Sequence, residues 1–170
     1  MNKQESLKNI YRLSFGTDTE FENLLFDSCG SFAEVFEIDG VPVSFLFALP
    51  CKIHDGEKVC EFIYIFAAAT HPDYRKKGYM AKLLEKVTEK YKKPLILRPA
   101  NKELINYYKK FGFATFTALD TEKGSLYLTP VQGYKTLADL SDTTAEGSFT
   151  VMARNSPLNL NGLYFPYTMP

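Results

Sequence analysis

Apolar residues recur at helical spacing from the start of the chain. Leu7, Ile10 and Tyr11, then Ser14 and Phe15, predict a helix over residues 3 to 15, and a second, shorter helix follows from Asp18 to about Phe26. From Ser31 the period drops to two, with Phe32, Glu34, Phe36 and Ile38 on one face until Asp39-Gly40 supplies a turn. The run VPVSFLFALPCKI predicts a second strand, and a third runs from Lys58 through EFIYIFAAA, after Asp55-Gly56. Asp-Gly between strand patterns favours two-residue hairpin turns, so the three strands are predicted to form an antiparallel meander.

Helical spacing then returns. Met80, Leu83, Leu84, Val87 and Tyr91 recur at i, i+3, i+4, i+7 and i+11, with Lys82, Glu85, Lys86 and Glu89 mostly outside, which predicts an amphipathic helix. Pro94-Leu95-Ile96-Leu97 suits a short buried strand, and Asn101 is placed to cap the next helix. Leu104, Ile105, Tyr108 and Phe111 form that helix's apolar face, and Gly112 ends it. Phe113 to Leu119 and Ser125 to Thr129 read as a strand pair around DTEKG. Beyond it, VQGYKTLADL suits a short helix, SFTVMA a strand, and NSPLNLNGLYFPYTMP an extended tail whose large apolar residues are costly to leave in water. The expected organisation is a core over residues 1–130 with an extension, 131–170, packed on the same domain.

Composition narrows the function classes. Of 170 residues 45% are apolar and 15% aromatic, which suits a globular protein. Twenty basic residues balance twenty acidic ones, so no global field draws the chain to nucleic acid or an anionic membrane, and any anion site is local. The first residues lack an apolar leader pattern and no run is long enough to span a membrane, so the expected compartment is the cytoplasm. Cys29, Cys51 and Cys60 show no CxxC spacing, and with two scattered histidines they make no metal site. A two-residue turn at Asp55-Gly56 sets Cys51 opposite Cys60; free thiols are expected there.

One stretch carries chemistry. In HPDYRKKGYMAKLL, residues 71 to 84, a proline-bearing turn and the cations Arg75, Lys76 and Lys77 meet Gly78 where a helix begins. The first N–H groups of a helix lack internal partners and its dipole is positive there, so a phosphate is the natural guest. The phosphate loop of nucleotide hydrolases and the G-x-G-x-x-G fingerprint are both absent. Downstream stands N101-K-E-L-I-N-Y-Y108-K-K-F-G112-F113, a helix with a tyrosine one turn before its closing glycine.

Together these segments resemble the GCN5-related N-acetyltransferase superfamily. Its motif A has a strand, a short V-x-P segment and R/Q-x-x-G-x-G/A; its motif B reads N-x-x-A-x-x-F-Y-x-K-x-G-F. Here they stand as A-T-H-P, R75-K-K-G78-Y-M80, and Asn101 through Phe113. Met80 takes the place of the usual small residue and Thr70 that of the usual valine. The resemblance covers the element order from about residue 1 to 130 and implies a mixed α/β fold: a mostly antiparallel central sheet, splayed in the middle to admit the cofactor, with helices on both faces. The cationic run and the large residues at 79 and 80 look like the acetyltransferases of the enhanced-intracellular-survival type, although this chain is shorter.

The resemblance implies that the backbone of Ala68, Ala69 and Thr70 pairs with the pantetheine arm of acetyl-CoA. It implies that Arg75, Lys76, Lys77, Gly78, Tyr79 and Met80 hold the pyrophosphate, that Asn101 lies near the thiol end, and that Tyr108 protonates the departing thiolate. Attack of an amine on a thioester needs a neutral amine, a polarised carbonyl and a protonated leaving sulfur. For the amine proton the candidates are Glu61, Tyr64, His54 and the carboxylate of Pro170. Tyr108 equally suits a core role on its helix's apolar face. The acceptor is expected to be a primary amine of a small molecule or peptide, without nucleic acid or membrane. The alternative is a non-catalytic acyl-CoA-binding module, and the aromatic tail also suits a homodimer interface.

Overall fold

The computed structural model describes residues 1–54, 57–119, 126–130 and 148–164, the stretch 126–130 by its backbone alone. The chain opens with α1 (Lys3–Phe15) and α2 (Thr19–Cys29), followed by β1 (Ala33–Ile38), β2 (Val41–His54) and β3 (Val59–Thr70). Next come α3 (Tyr79–Tyr91), β4 (Leu95–Leu97), α4 (Lys102–Lys109), β5 (Ala114–Leu119), β6 (Leu126–Pro130), β7 (Ser148–Arg154) and β8 (Leu163–Tyr164). The helix starts are those the polar caps dictate. Asn2, Asp18 and Asn101 each accept a bond from a first-turn amide of α1, α2 and α4 respectively. No helix among the described residues is long and apolar enough to cross a membrane.

The chain forms two compact units, and neither is continuous in sequence: one comprises residues 1–48 and 67–91, the other residues 49–66 and 92–170. In the first unit β1 pairs antiparallel with β2, and the turn between them has φ 51° at Asp39 and φ 77° at Gly40, the doubly left-handed turn that suits strand twist. Cross-strand partners share a face, so Glu34 and Phe36 lie with Leu46 and Ser44, while Val35 lies with Phe45. Tyr91 of α3 donates to Glu34 at 2.8 Å and Lys90 pairs with the same carboxylate. Phe26 of α2 meets the rings of Phe45 and Phe47 at 6.1 and 5.4 Å. Because Glu34 and Phe45 belong to opposite faces, the strands of this unit carry helices on both sides, as the fold class requires.

In the second unit β3 pairs parallel with β4, and β4 pairs antiparallel with β7. Beyond β7 the order continues β5, β8, β6, and β6 returns to pair with β2. The mixed, mostly antiparallel sheet is thus as expected. One expectation is corrected: β5 and β6 exist but do not pair with each other. One edge of β5 is taken by β7 along its whole length, and the other receives β8 at Ala118 and Leu119. That edge is held by Asn161, whose side chain accepts from the Thr117 amide at 2.9 Å, and by the Gly162 amide, which donates to the Thr117 carbonyl at 2.7 Å. The expected strand at SFTVMA is β7. The Asp55-Gly56 turn, the expected helix in VQGYKTLADL and the end of the tail lie outside the described residues. All three cysteines are free thiols, and Cys51 donates to the Phe62 carbonyl at 3.6 Å.

Candidate functional site

In the first unit β3 ends in a chain of backbone irregularities that an alanine run gives no warning of. Ala67, buried, takes φ 52° in the middle of the strand, the left-handed region that costs an L-residue energy. The strand therefore changes direction where Ala68, Ala69 and Thr70 begin. The buried Ser44 hydroxyl anchors the end of the strand, donating to the Ala69 carbonyl at 3.1 Å and lying 2.9 Å from Thr70 Oγ1. The His71 amide donates to the Val43 carbonyl at 2.9 Å, and a short 3₁₀ turn over Pro72–Tyr74 leads to the cations.

Lys76 at φ 61° and Gly78 at φ 80° reverse the chain twice before α3 starts. A Cβ placed on Gly78 would meet nothing within 4 Å. The glycine answers the backbone conformation, and the space above it is open to a ligand. The Gly78 carbonyl accepts the first helical bond, from the Lys82 amide at 3.1 Å, so the amides at the start of α3 have no acceptor within the helix.

The three cations divide their work. Arg75 donates through Nε to the Thr70 carbonyl at 3.0 Å and through Nη2 to the Ser14 hydroxyl at 3.2 Å, so its guanidinium clasps the loop to α1. Lys77 donates to the Asp73 carbonyl at 3.1 Å with its ammonium 5.3 Å from the Tyr74 ring centre. Lys76 makes no hydrogen bond or ion pair among the described residues, and both lysines are exposed. Tyr79 stacks on Phe36 with ring centres 5.3 Å apart. Exposed ammonium groups, open space over a glycine and a helix start form a donor set that fits a pyrophosphate. The nine predicted residues from Ala68 to Met80 are thus brought together in this unit.

The other two predicted residues belong to the second unit. Asn101 is exposed and its side chain accepts from the Leu104 amide at 2.9 Å, which fixes the start of α4. One face of that helix carries Tyr108 inward, 7% exposed, with ring centres of Tyr107 and Phe113 at 5.3 and 5.6 Å. Its hydroxyl has no hydrogen-bond partner among the described residues. Burial first, and then the neighbouring Tyr107, push its pKa well above the usual phenol value. The phenol therefore keeps its proton at neutral pH.

Among the expected proton acceptors, Glu61 is exposed and bonded to Lys93 at 3.0 Å, and that bond holds its pKa below the usual carboxylate range. Tyr64 is buried in β3, opposite Ile96, and His54 ends β2. The carboxylate of Pro170 lies outside the described residues. Two residues escaped the sequence reading: Ala67, for which the sequence holds no sign, and Arg98, a single cation directly after the apolar run of β4. Among the described residues no cluster of His, Cys, Asp or Glu gathers to hold a metal.

Residues 4–113 match the model of the acetyltransferase (GNAT) family. Nothing among curated proteins matches. A GCN5-related N-acetyltransferase from Kribbella flavida has a TM-score of 0.59 and 15% identity over 68% of this chain and 33% of its own, so this chain spans about a third of that protein's length. Arabidopsis thaliana Naa50, solved in complex with the bisubstrate analogue CoA-Ac-MVNAL, has a TM-score of 0.54 and 19% identity over 89% of this chain and 91% of its own. The ribosomal-protein-S18-alanine N-acetyltransferase of Escherichia coli has a TM-score of 0.52 and 17% identity over 89% and 86%. At these identities the likeness is one of fold. The family match is more specific, because residues 4–113 take in the glycine turn before α3 and the whole of α4 with Tyr108; on that ground the chain belongs to the acetyltransferase (GNAT) family.

Proposed function

We propose that the protein is an acetyl-CoA-dependent N-acetyltransferase that moves an acetyl group to a primary amine of a small molecule or peptide by direct attack. The observation that carries this reading is the family match over residues 4–113, which includes both segments whose chemistry the reaction needs. In this reading the turn from Arg75 to Met80 holds the pyrophosphate through the first amides of α3 and the exposed ammonium groups of Lys76 and Lys77. Arg75 acts by keeping that turn in place, since its donors are engaged by Thr70 and Ser14. The backbone at Ala68 to Thr70 lies along the pantetheine arm, Asn101 sets the start of α4 near the thiol end, and Tyr108 supplies the proton that the departing sulfur takes up. Tyr108 carries its proton at any physiological pH and can supply it, while burial makes the phenol a weaker acid than in water.

The test is calorimetry of acetyl-CoA on the wild type and Arg75→Ala, followed by thiol release against a panel of amines. Acetyl-CoA is expected to bind, and Arg75→Ala to bind more weakly. Tyr108→Phe is expected to keep binding and to slow release by about 10²-fold or more, the usual contribution of a positioned acid. A folded wild type that does not bind acetyl-CoA would overturn the reading; binding with no release for any amine would leave an acyl-CoA-binding module.

A further inference from the structure

β1 stands at the end of the sheet, with β2 as its one partner strand among the described residues. Two bonds tell which of its backbone groups face outward. The Ala33 amide donates to the Gly30 carbonyl, and the Val35 carbonyl accepts from Lys86 Nζ at 3.4 Å. Neither bond goes to β2, and in an antiparallel pair that orientation recurs at every second residue. The outer edge of β1 therefore presents the Ala33 carbonyl and both backbone groups of Val35, the pattern to which a further strand can be added.

The two sides of that edge differ in chemistry. Ala33 and Val35 face the side of α1 and α2, where a cavity of about 410 Å³ opens, with Leu7 and Phe26 buried in its floor and Lys3 and Gln4 exposed at its rim. Glu34 and Phe36 face α3, on which Lys82, Lys86 and Lys90 recur every fourth residue and so form one row. Lys90 pairs with Glu34, and Lys82 lies 5.9 Å from the centre of the Phe36 ring. Lys82 and Lys86 are exposed and have no carboxylate partner among the described residues. Lysines on an edge ordinarily keep stray strands away. They do so selectively: a neutral or basic strand would displace Lys86 from the Val35 carbonyl and leave its ammonium without a partner, whereas an acidic strand supplies a carboxylate.

Successive side chains of an added strand point to opposite faces, so the two sides of the edge dictate its pattern. We propose that the outer edge of β1 takes an extended acidic segment of a partner protein as an added strand, with apolar side chains in the cavity over Leu7 and Phe26 and carboxylates against Lys82 and Lys86. The partner segment then alternates acidic and apolar residues. The site is separate from the cofactor turn, since Ser14, which Arg75 holds, lies about 10 Å beyond Leu7 along α1. The proposal therefore stands whether or not the protein transfers acetyl groups.

The probe is the peptide Glu-Val-Glu-Val-Glu-Val-Glu, acetylated at its N-terminus and amidated at its C-terminus so that it offers no amine to acetylate. Its controls are the same composition with Glu and Val in separate blocks, the alternating Lys-Val peptide, and the probe N-methylated at its central valine. By calorimetry the probe is expected to bind about tenfold more tightly than each control, or better, and the double variant Lys82→Glu, Lys86→Glu to lose about tenfold or more at an unchanged melting temperature. Val35→Pro should weaken binding to a similar degree, because it removes the outward amide at a position where an edge strand tolerates proline. If that variant does not fold, the N-methylated peptide tests the ladder from the other strand. Equal binding of the alternating and blocked peptides, or unchanged binding by the folded lysine variant, would overturn the proposal. So would a wild type that sediments as a dimer and a Val35→Pro variant that sediments as a monomer, since a second copy would then occupy the edge.

Discussion

Gly78 and Ala67 both sit at positive φ, and their surroundings predict different tolerances. Nothing crowds the position of a Cβ on Gly78, so Gly78→Ala meets only backbone strain, about 1–2 kcal/mol, seen as a fall of a few degrees in melting temperature. Acetyl-CoA affinity should fall with it, because the same turn presents the helix start. Ala67 is buried, and its φ of 52° already carries a small side chain. Ala67→Gly is expected to stay within about 1 kcal/mol of the wild type in urea denaturation, whereas Ala67→Val should lose more than about 2 kcal/mol, since a β-branched residue is an outlier at positive φ. Equal tolerance of both would mean the strand is not kinked there. These two positions also show what a sequence can disclose. Gly78 was legible because a glycine among cations at a helix start has few uses. Ala67 was not, because three consecutive alanines show no preference for positive φ. Tyr108 was legible through its spacing from Gly112, while the engagement of Arg75 with Ser14, far away in sequence, leaves no local trace.

At the scale of elements, the four helices among the described residues were legible through their apolar period, and α1, α2 and α4 also carry a side-chain cap. Asn101 shows the cap at work, and Asn101→Ala should cost about 1 kcal/mol through the lost bond to the Leu104 amide. If Asn101 also lies near the thiol end, acetyl-CoA affinity should fall further than Asn101→Asp allows, since aspartate keeps the cap; equal affinities for the two variants would make it a cap alone. Strands were legible down to the three apolar residues of β4, and hidden where only two residues pair. Two residues, Leu163 and Tyr164, have no period to detect, yet as β8 they occupy the edge of β5 that the adjacent sequence pattern assigned to β6. Glu34 was placed on one face of β1 with Phe36 and Ile38 by alternation alone. Why a carboxylate is tolerated there emerges only from α3, where Lys90 and Tyr91 meet it more than fifty residues later in sequence.

Over the whole molecule, buried thiols and phenols set a limit on the alkaline side. Burial pushes Cys29 up to about 12 and, with Glu22 and Asp18 adding to it, Tyr11 up to about 12, and it pushes Cys51 and Tyr108 up as well. In the unfolded chain these groups release protons near their ordinary values of 9.0 for a thiol and 10.0 for a phenol. Above those values the unfolded state holds fewer protons than the folded one, so stability falls as pH rises, by up to about 1.4 kcal/mol per pH unit for each group. Lys90, raised by its bond to Glu34, acts in the same direction, its contribution being lost as pH rises through its folded value. The urea midpoint should hold steady to about pH 8 and drop clearly by about pH 10.5, and Cys29→Ala should flatten the drop. An unchanged midpoint would mean these groups meet water in the folded state.

The interleaving of the two units bears on how the protein emerges from the ribosome. By the time Tyr91 has been made, every residue of the first unit exists, and so does the segment 49–66 that the second unit requires. That segment carries Phe62, Ile63 and Tyr64, all buried in the finished fold, yet the strand that pairs with β3 there, β4, has still to be translated. Synthesis at roughly 5–20 residues per second leaves this apolar segment waiting for seconds until β7 and β8 arrive. A nascent chain stalled with residues 49–66 clear of the ribosomal exit tunnel and β7 still inside it is therefore the form of this protein that should bind a holdase chaperone most strongly, and one released after Tyr164 the form that should bind it least.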